Sequence, residues 1–195
     1  MKPVPEPQSL DAAYFERVYA AKSDPWDFAT SPYEREKYTA TLDALAGRRF
    51  ARGFEAGCSI GVLTERLADT VEALLAVDVN EVALQQARSR CARRPNVRFA
   101  RMALPHEFPD GRFDFALLSE IGYYWSREDL ALAIERFASC VRGGTLELVH
   151  YLPKVEDYPL AGDDVHEAFL SDSRYSRVAG SRAARYRIDV LAVNG

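Results

Sequence analysis

From Phe50 onward the chain alternates short apolar runs with amphipathic helical segments, and this pattern constrains its fold more than any other feature. A strand covered on both faces reads as a near-continuous apolar run, and an intervening helix brings the next strand back in parallel. We read strands at about 52–55, 73–78, 97–100, 113–119 and 145–150. Helices follow at 61–69, after Asn80 with Leu84, Ala87 and Cys91 inward, and after Ser126. That last helix turns Leu130, Ile134, Phe137 and Val141 to one face and stops at Gly143-Gly144. Runs at 175–178 and 186–193 are predicted to close the sheet as a hairpin, and 154–167 reads as a polar insert.

Two helices are expected upstream. In 11–21, Tyr14, Phe15, Val18 and Tyr19 recur at helical spacing until Asp24-Pro25 stops the pattern. In 31–46, Pro32 suits the first turn, Leu42 and Leu45 face inward, and Gly47 ends the helix. The expected architecture is α/β, a Rossmann-like doubly wound, mostly parallel sheet of seven strands with an N-terminal helical flap. We expect a disordered tail at 1–10 and a single domain at 11–195, divided into flap 11–47 and core 48–195. A chain of 195 residues, 48% hydrophobic, has material for one sizeable core.

Charge and cysteines exclude several classes. A net charge of −4 exerts no broad pull on nucleic acid or anionic membranes. Cys58, Cys91 and Cys140 are widely spaced and read as reduced thiols, so no metal is expected. Pro3, Pro5 and Pro7 stand where a signal peptide needs an apolar core, no later run has the length of a membrane span, and the expected location is the cytoplasm.

The most informative stretch is Glu55-Ala56-Gly57-Cys58-Ser59-Ile60-Gly61, a strand running into a small-residue turn and then a helix. As a GxGxxG dinucleotide turn it fits poorly, because Ser59 and Val62 occupy glycine positions. Gly57-Cys58-Ser59-Ile60-Gly61 literally fits the GxSxG hydrolase elbow, with His150 and His166 downstream, but it follows the first core strand and lacks an upstream oxyanion loop. An S-adenosylmethionine site needs an acid two positions before the first glycine, a small turn, and a second acid ending the next strand. Glu55, Gly57, Gly61 and Asp78 supply all four. That ligand carries an amino-acid end, a sulfonium and a ribose diol but no phosphate, so carboxylates are its natural partners.

In these residues, and in Gly143-Gly144 before the fifth strand, the chain resembles the class I S-adenosylmethionine methyltransferases. A narrower likeness rests on Asp24-Pro25-Trp26-Asp27-Phe28, Tyr33-Glu34-Arg35-Glu36-Lys37, the glycine turn, 118–124 and 157–163. Through these the chain resembles the NodS family, nodulation enzymes that N-methylate the deacetylated end sugar of chitooligosaccharides. The resemblance implies that Gly57, Gly61, Asp78 and the main chain at Glu120 meet the cofactor, with Trp26 and the Tyr33 to Lys37 helix folded over it. Lys37 is then a candidate partner for the cofactor carboxylate, and Ser59 stands where many class members have glycine. Arg101-Met102-Ala103 lacks the acid that often marks the adenine, so main-chain groups of Met102, Ala103 and Leu104 are expected there, with Phe108 as a ring-packing partner.

Strands four and five deliver Glu120, Tyr123, Tyr124, Trp125, His150 and Tyr151 to the expected acceptor side. Aromatic faces and carboxylates suit an amino sugar, and Asp163 in the acidic insert is a further candidate. His150 is the first candidate base, with His166 and Glu120 behind it. The expected function is N-methylation of a small-molecule acceptor, an amino sugar or oligosaccharide, by a monomer or weak dimer without nucleic-acid or membrane partners. O-methylation is the close alternative, and a GxSxG hydrolase or a non-catalytic cofactor-binding subunit the distant ones.

Overall fold

The computed structural model describes residues 7–195. Two helices lead: α1 (Ala12–Ala21), capped by the Asp11 side chain, and α2 (Pro32–Ala44), capped by Ser31 with Pro32 in its first turn. Five strands and three helices follow: β1 (Phe50–Ala56), α3 (Val62–Leu67), β2 (Val71–Asp78), α4 (Glu81–Arg90), β3 (Val97–Arg101), β4 (Phe115–Ser119), α5 (Arg127–Cys140) and β5 (Thr145–Tyr151). The chain closes with α6 (Gly162–Leu170), β6 (Tyr175–Arg182) and β7 (Tyr186–Val193). The side chains of Asn80 and Ser126 cap α4 and α5 by accepting from Ala83 N and Asp129 N, as their sequence positions predict.

The sheet order is β3-β2-β1-β4-β5-β7-β6, parallel from β3 to β5 and antiparallel where β7 joins β5 and β6. The strand order reverses between β1 and β4, which opens a crevice beyond their carboxyl ends. One face of the sheet packs Phe54, Leu118 and Leu148 against Phe137, Val165 and Phe169. The other packs Leu117 and Val149 in a cluster with Tyr38, Leu45, Leu63 and Leu67. Each fully buried ring in these layers adds about 1.5–3 kcal/mol relative to an exposed one.

Three expectations need correction. Residues 1–6 of the expected tail lie outside the described residues, but Ser9 and Leu10 are pinned: Leu10 N donates to Tyr124 O at 2.8 Å and Ser126 N to Ser9 Oγ at 2.7 Å. The polar insert runs into α6, whose Val165 and Phe169 are fully buried. Strand β6 extends to Arg182 through exposed residues because it is an edge strand with a register shift between Arg177 and Ala179. Among the described residues no helix is long and apolar enough to cross a membrane.

Candidate active site

Two adjoining cavities occupy the crevice. The first, about 390 Å³, is lined by Gly57, Ser59 and Asp78 from the sheet side and by Phe15, Tyr19 and Trp26 from the flap. The second, about 310 Å³, is lined by Tyr33, Glu34, Lys37, Tyr123, Tyr151 and Tyr158 among others. Trp26, Phe28, Glu120 and Tyr124 line both and form their shared wall.

In the first cavity the glycine turn has the geometry its residues require. Gly57 has φ +79°, and a Cβ there would lie 2.3 Å from Ile121 Cγ2, so both the backbone conformation and the packing of Ile121 require glycine. Asp78 ends β2 and accepts hydrogen bonds from Ser59 N at 2.8 Å and Asn80 N at 2.9 Å. Burial pushes its carboxyl above the ordinary value, and these N–H groups pull the other way. Glu55 lies behind the turn, out of both cavities, with Oε2 unpartnered, and burial raises its carboxyl to about 7. Gly61 likewise lines neither cavity. Its α-carbon packs against Ala87 of α4, where an added Cβ would come within 2.9 Å of Ala87 Cα.

At the far end of this cavity Met102, Ala103 and Leu104 line the wall, but their main chain is largely engaged. Met102 N donates to Asp78 O, Ala103 N to Glu107 Oε2 at 2.7 Å, and Leu104 O accepts from Trp125 Nε1 at 3.1 Å. Phe108 belongs to the core instead, edge-on to Phe54 and Phe137. Ser59 bonds to the Tyr19 hydroxyl, which ties α1 to the glycine turn.

In the second cavity Lys37 lies buried between two carboxylates. Its Nζ stands 2.9 Å from Glu34 Oε2 and 2.6 Å from Glu120 Oε1. Burial pulls the ammonium down, yet the two negative charges outweigh it and hold Lys37 above its ordinary value. Glu120 also accepts from the Tyr123 hydroxyl and from Tyr151 N at 3.1 Å, and it adopts φ +61°, a backbone state rare outside glycine. Lys37 is therefore an internal counter-ion that lines only the second cavity, rather than a free partner for a ligand in the first. Arg185 lies over the Tyr33 ring, 3.9 Å from its centroid, at the rim.

The expected histidines are elsewhere. His150 and His166 are fully buried and line neither cavity; their ring nitrogens bond to each other, to Gly122 N and to Asp189. Burial holds both rings below their ordinary pKa, His150 well below it. Neither therefore reaches an acceptor or serves Ser59 as a hydrolase base. Asp163 is also outside the cavities, paired with Arg182 and Arg187; hydrogen bonding to Arg182 above all lowers its carboxyl to about 2. Trp125 lines the first cavity rather than the second. Glu34, Phe28, Tyr158 and Arg185 were not anticipated; the Glu34–Lys37 spacing, one helical turn, was the available signal for the first.

Sheet order, glycine turn and strand-two acid together define the fold of the class I S-adenosylmethionine-dependent methyltransferases. The family profile of Nodulation protein S (NodS) matches residues 11–148, and the chain belongs to that family. Nodulation protein S of Bradyrhizobium diazoefficiens is 31% identical over 107 residues, 53% of this chain and 50% of that one. An uncharacterized methyltransferase of Mycobacterium bovis is 31% identical over 116 residues, 59% of this chain and 58% of its own. The chain thus spans about half the length of the curated relatives it matches. Among solved structures, N-methyltransferase NodS from Bradyrhizobium japonicum WM9 in complex with S-adenosyl-L-homocysteine superposes with a TM-score of 0.82. Identity is 22%, with 94% of this chain and 98% of that one covered.

Proposed function

We propose that the protein transfers a methyl group from S-adenosylmethionine to the amine of a small acceptor, an amino sugar or its oligomer. The observation that carries this reading is that Glu120, Tyr124, Trp26 and Phe28 line both cavities, so one suited to the donor adjoins one suited to an amine. The first cavity fits the cofactor by its donor set. Each Asp78 oxygen accepts one main-chain N–H and keeps a lone pair for a ribose hydroxyl, and Gly57 lines the cavity beside it. Met102, Ala103 and Leu104 supply an apolar wall for the adenine.

When bound, the cofactor supplies a methyl on a sulfonium, ready for in-line displacement, so the protein's task is mainly orientation. Glu34 and Glu120 place two carboxylates around the Lys37 ammonium at the inner end of the cavity, where a cationic amine would find acidic partners, while Arg185 balances the charge at the rim. Tyr33, Tyr123, Tyr151 and Tyr158 line this cavity and supply aromatic surface suited to the C–H groups of a sugar ring. An ammonium must lose a proton before it attacks, and Glu34, whose carboxyl burial raises above its ordinary value, is the acceptor we assign to that proton. This assignment replaces His150 as base.

Calorimetric titration with S-adenosylhomocysteine tests the donor side. Asp78→Ala is expected to weaken binding about tenfold to a hundredfold, the worth of charge-assisted hydrogen bonds; unchanged affinity overturns it. Mass fragmentation of the product formed with a glucosamine oligomer tests the acceptor side, where methyl on nitrogen supports the reading and methyl on oxygen defeats it.

A further inference from the structure

Beneath the acceptor cavity runs a continuous buried chain of hydrogen bonds that the proposed chemistry leaves unused. His166 Nδ1 lies 2.7 Å from Asp189 Oδ2, His166 Nε2 lies 3.2 Å from His150 Nδ1, and His150 Nε2 lies 3.2 Å from Gly122 N. His150, His166 and Asp189 are all wholly excluded from solvent. Asp189 is neutralised at its outer end by Arg187 Nε and Arg177 Nε, each at 2.7 Å.

The proton positions along this chain follow from one fact. A main-chain N–H only donates, so His150 Nε2 must be bare to receive Gly122. A neutral His150 then carries its hydrogen on Nδ1 and donates to His166 Nε2, which forces the second hydrogen onto His166 Nδ1 and toward the Asp189 carboxylate. The polarity runs one way, from Gly122 to Asp189, with every ring nitrogen used. Neither ring can take a proton from an acceptor without breaking a link.

The inner end meets the piece of backbone that the acceptor site depends on. Gly122 opens the 3-10 turn Gly122–Tyr124, two residues after Glu120, and this turn places Tyr123 and Tyr124 at the second cavity. A Cβ on residue 122 would lie 2.9 Å from His150 Nε2 and 2.6 Å from Val165 Cγ1, so only glycine lets the turn settle on the histidine. The Tyr123 ring meets the His150 ring edge-on at 5.4 Å.

We propose that Asp189, His166 and His150 are positioning residues that fix the Gly122–Tyr124 turn, and through it hold Glu120 and Tyr123 against the acceptor amine. This rests on the functional reading above for the identity of the acceptor, but not for the geometry of the chain. Its consequence for rate is large because a displacement of about 1 Å in a positioning group costs on the order of a hundredfold in turnover.

The test uses the full chain and three readouts. Long-range proton–nitrogen spectra of ¹⁵N-histidine protein should show both buried rings with hydrogen on Nδ1 and a bare Nε2. A ring with hydrogen on Nε2 overturns the chain. His150→Leu should keep a cooperative urea-unfolding transition, which reports an intact fold, while amide exchange at 120–125 rises and kcat with a glucosamine oligomer at saturating S-adenosylmethionine falls roughly tenfold to a hundredfold. His150→Gln, whose side-chain oxygen can accept from Gly122 N–H, should recover most of that kcat. If His150→Leu keeps full kcat, or loses it while exchange at 120–125 stays slow, the positioning role is refuted. Should the wild-type chain methylate no amine, the functional reading fails, and spectra and exchange still decide the chain.

Discussion

Replacing Lys37 by Met tests how the acceptor cavity is held together. Lys37 is 2% exposed, and its ammonium lies between the Glu34 and Glu120 carboxylates, whose side chains are 8% and 13% exposed. Met preserves the length of the aliphatic stem and removes only the charge, so two carboxylates are left facing each other with little water. Removing one partner of a buried ion pair costs about 3–5 kcal/mol. At roughly 2–4 °C per kcal/mol for a chain of this size, the Tm should fall by about 6–20 °C. The loss should depend on pH with a definite sign. Burial already raises the Glu34 carboxyl, against the opposing pull of Lys37, and without Lys37 it rises further. A carboxyl with a raised folded-state pKa contributes stability at low pH that is lost as pH rises, so the deficit of Lys37→Met should shrink in acid. Adding Glu34→Gln should recover part of it, because Glu120 keeps the Tyr123 hydroxyl and Tyr151 N–H as partners. Urea unfolding at two pH values measures all of this. A loss below about 1 kcal/mol, the range of exposed pairs, would refute the claim that this triad is a buried electrostatic unit.

Two further perturbations separate roles that look alike in sequence. Gly57→Ala and Gly61→Ala should each cost about 1–2 kcal/mol from a φ of +79°, plus the clash with Ile121 or Ala87, but only Gly57→Ala, whose Cβ drives Ile121 aside at the cavity wall, should also weaken S-adenosylhomocysteine binding. Urea unfolding should show the shared strain in both variants, and calorimetry the binding loss in Gly57→Ala alone. Glu147 sits fully buried on β5 between Leu117 and Val190 with both oxygens unpartnered, and burial raises its carboxyl well above 4.5. Wild-type stability should therefore fall as pH climbs above that value, and Glu147→Met should flatten this slope; an unchanged slope in pH-dependent unfolding would show the carboxyl is not the cause.

The strand-turn-helix that carries the glycine turn was legible in the sequence because its parts are local, although only Gly57, Ser59 and Asp78 of the residues read there line the first cavity. Glu55, Gly57, Ser59 and Gly61 lie within seven consecutive residues, and Asp78 follows at the end of the next strand. Their spacing is dictated by one strand-turn-helix and its parallel neighbour. Strands β1 to β5, and the caps at Asn80 and Ser126, were readable for the same reason. Helix α6 was missed because its acidic residues dominate the text, although Val165 and Phe169 stand one turn apart and Asp164 accepts from Ala161 N at its start.

What sequence alone determined about this protein is therefore its doubly wound sheet and the glycine turn followed by the acid that ends strand two, both set by short-range periodicity and backbone conformation. Only the tertiary structure decided the rest. It turned Lys37 from a free cation into the counter-ion of Glu34 and Glu120, and took His150 and His166 out of the cavity into a chain ending at Asp189. It also paired Asp163 with arginines of β6 and β7. Those partners lie on elements distant along the chain, and a titratable side chain acquires its role from the charges and burial around it, which only packing supplies.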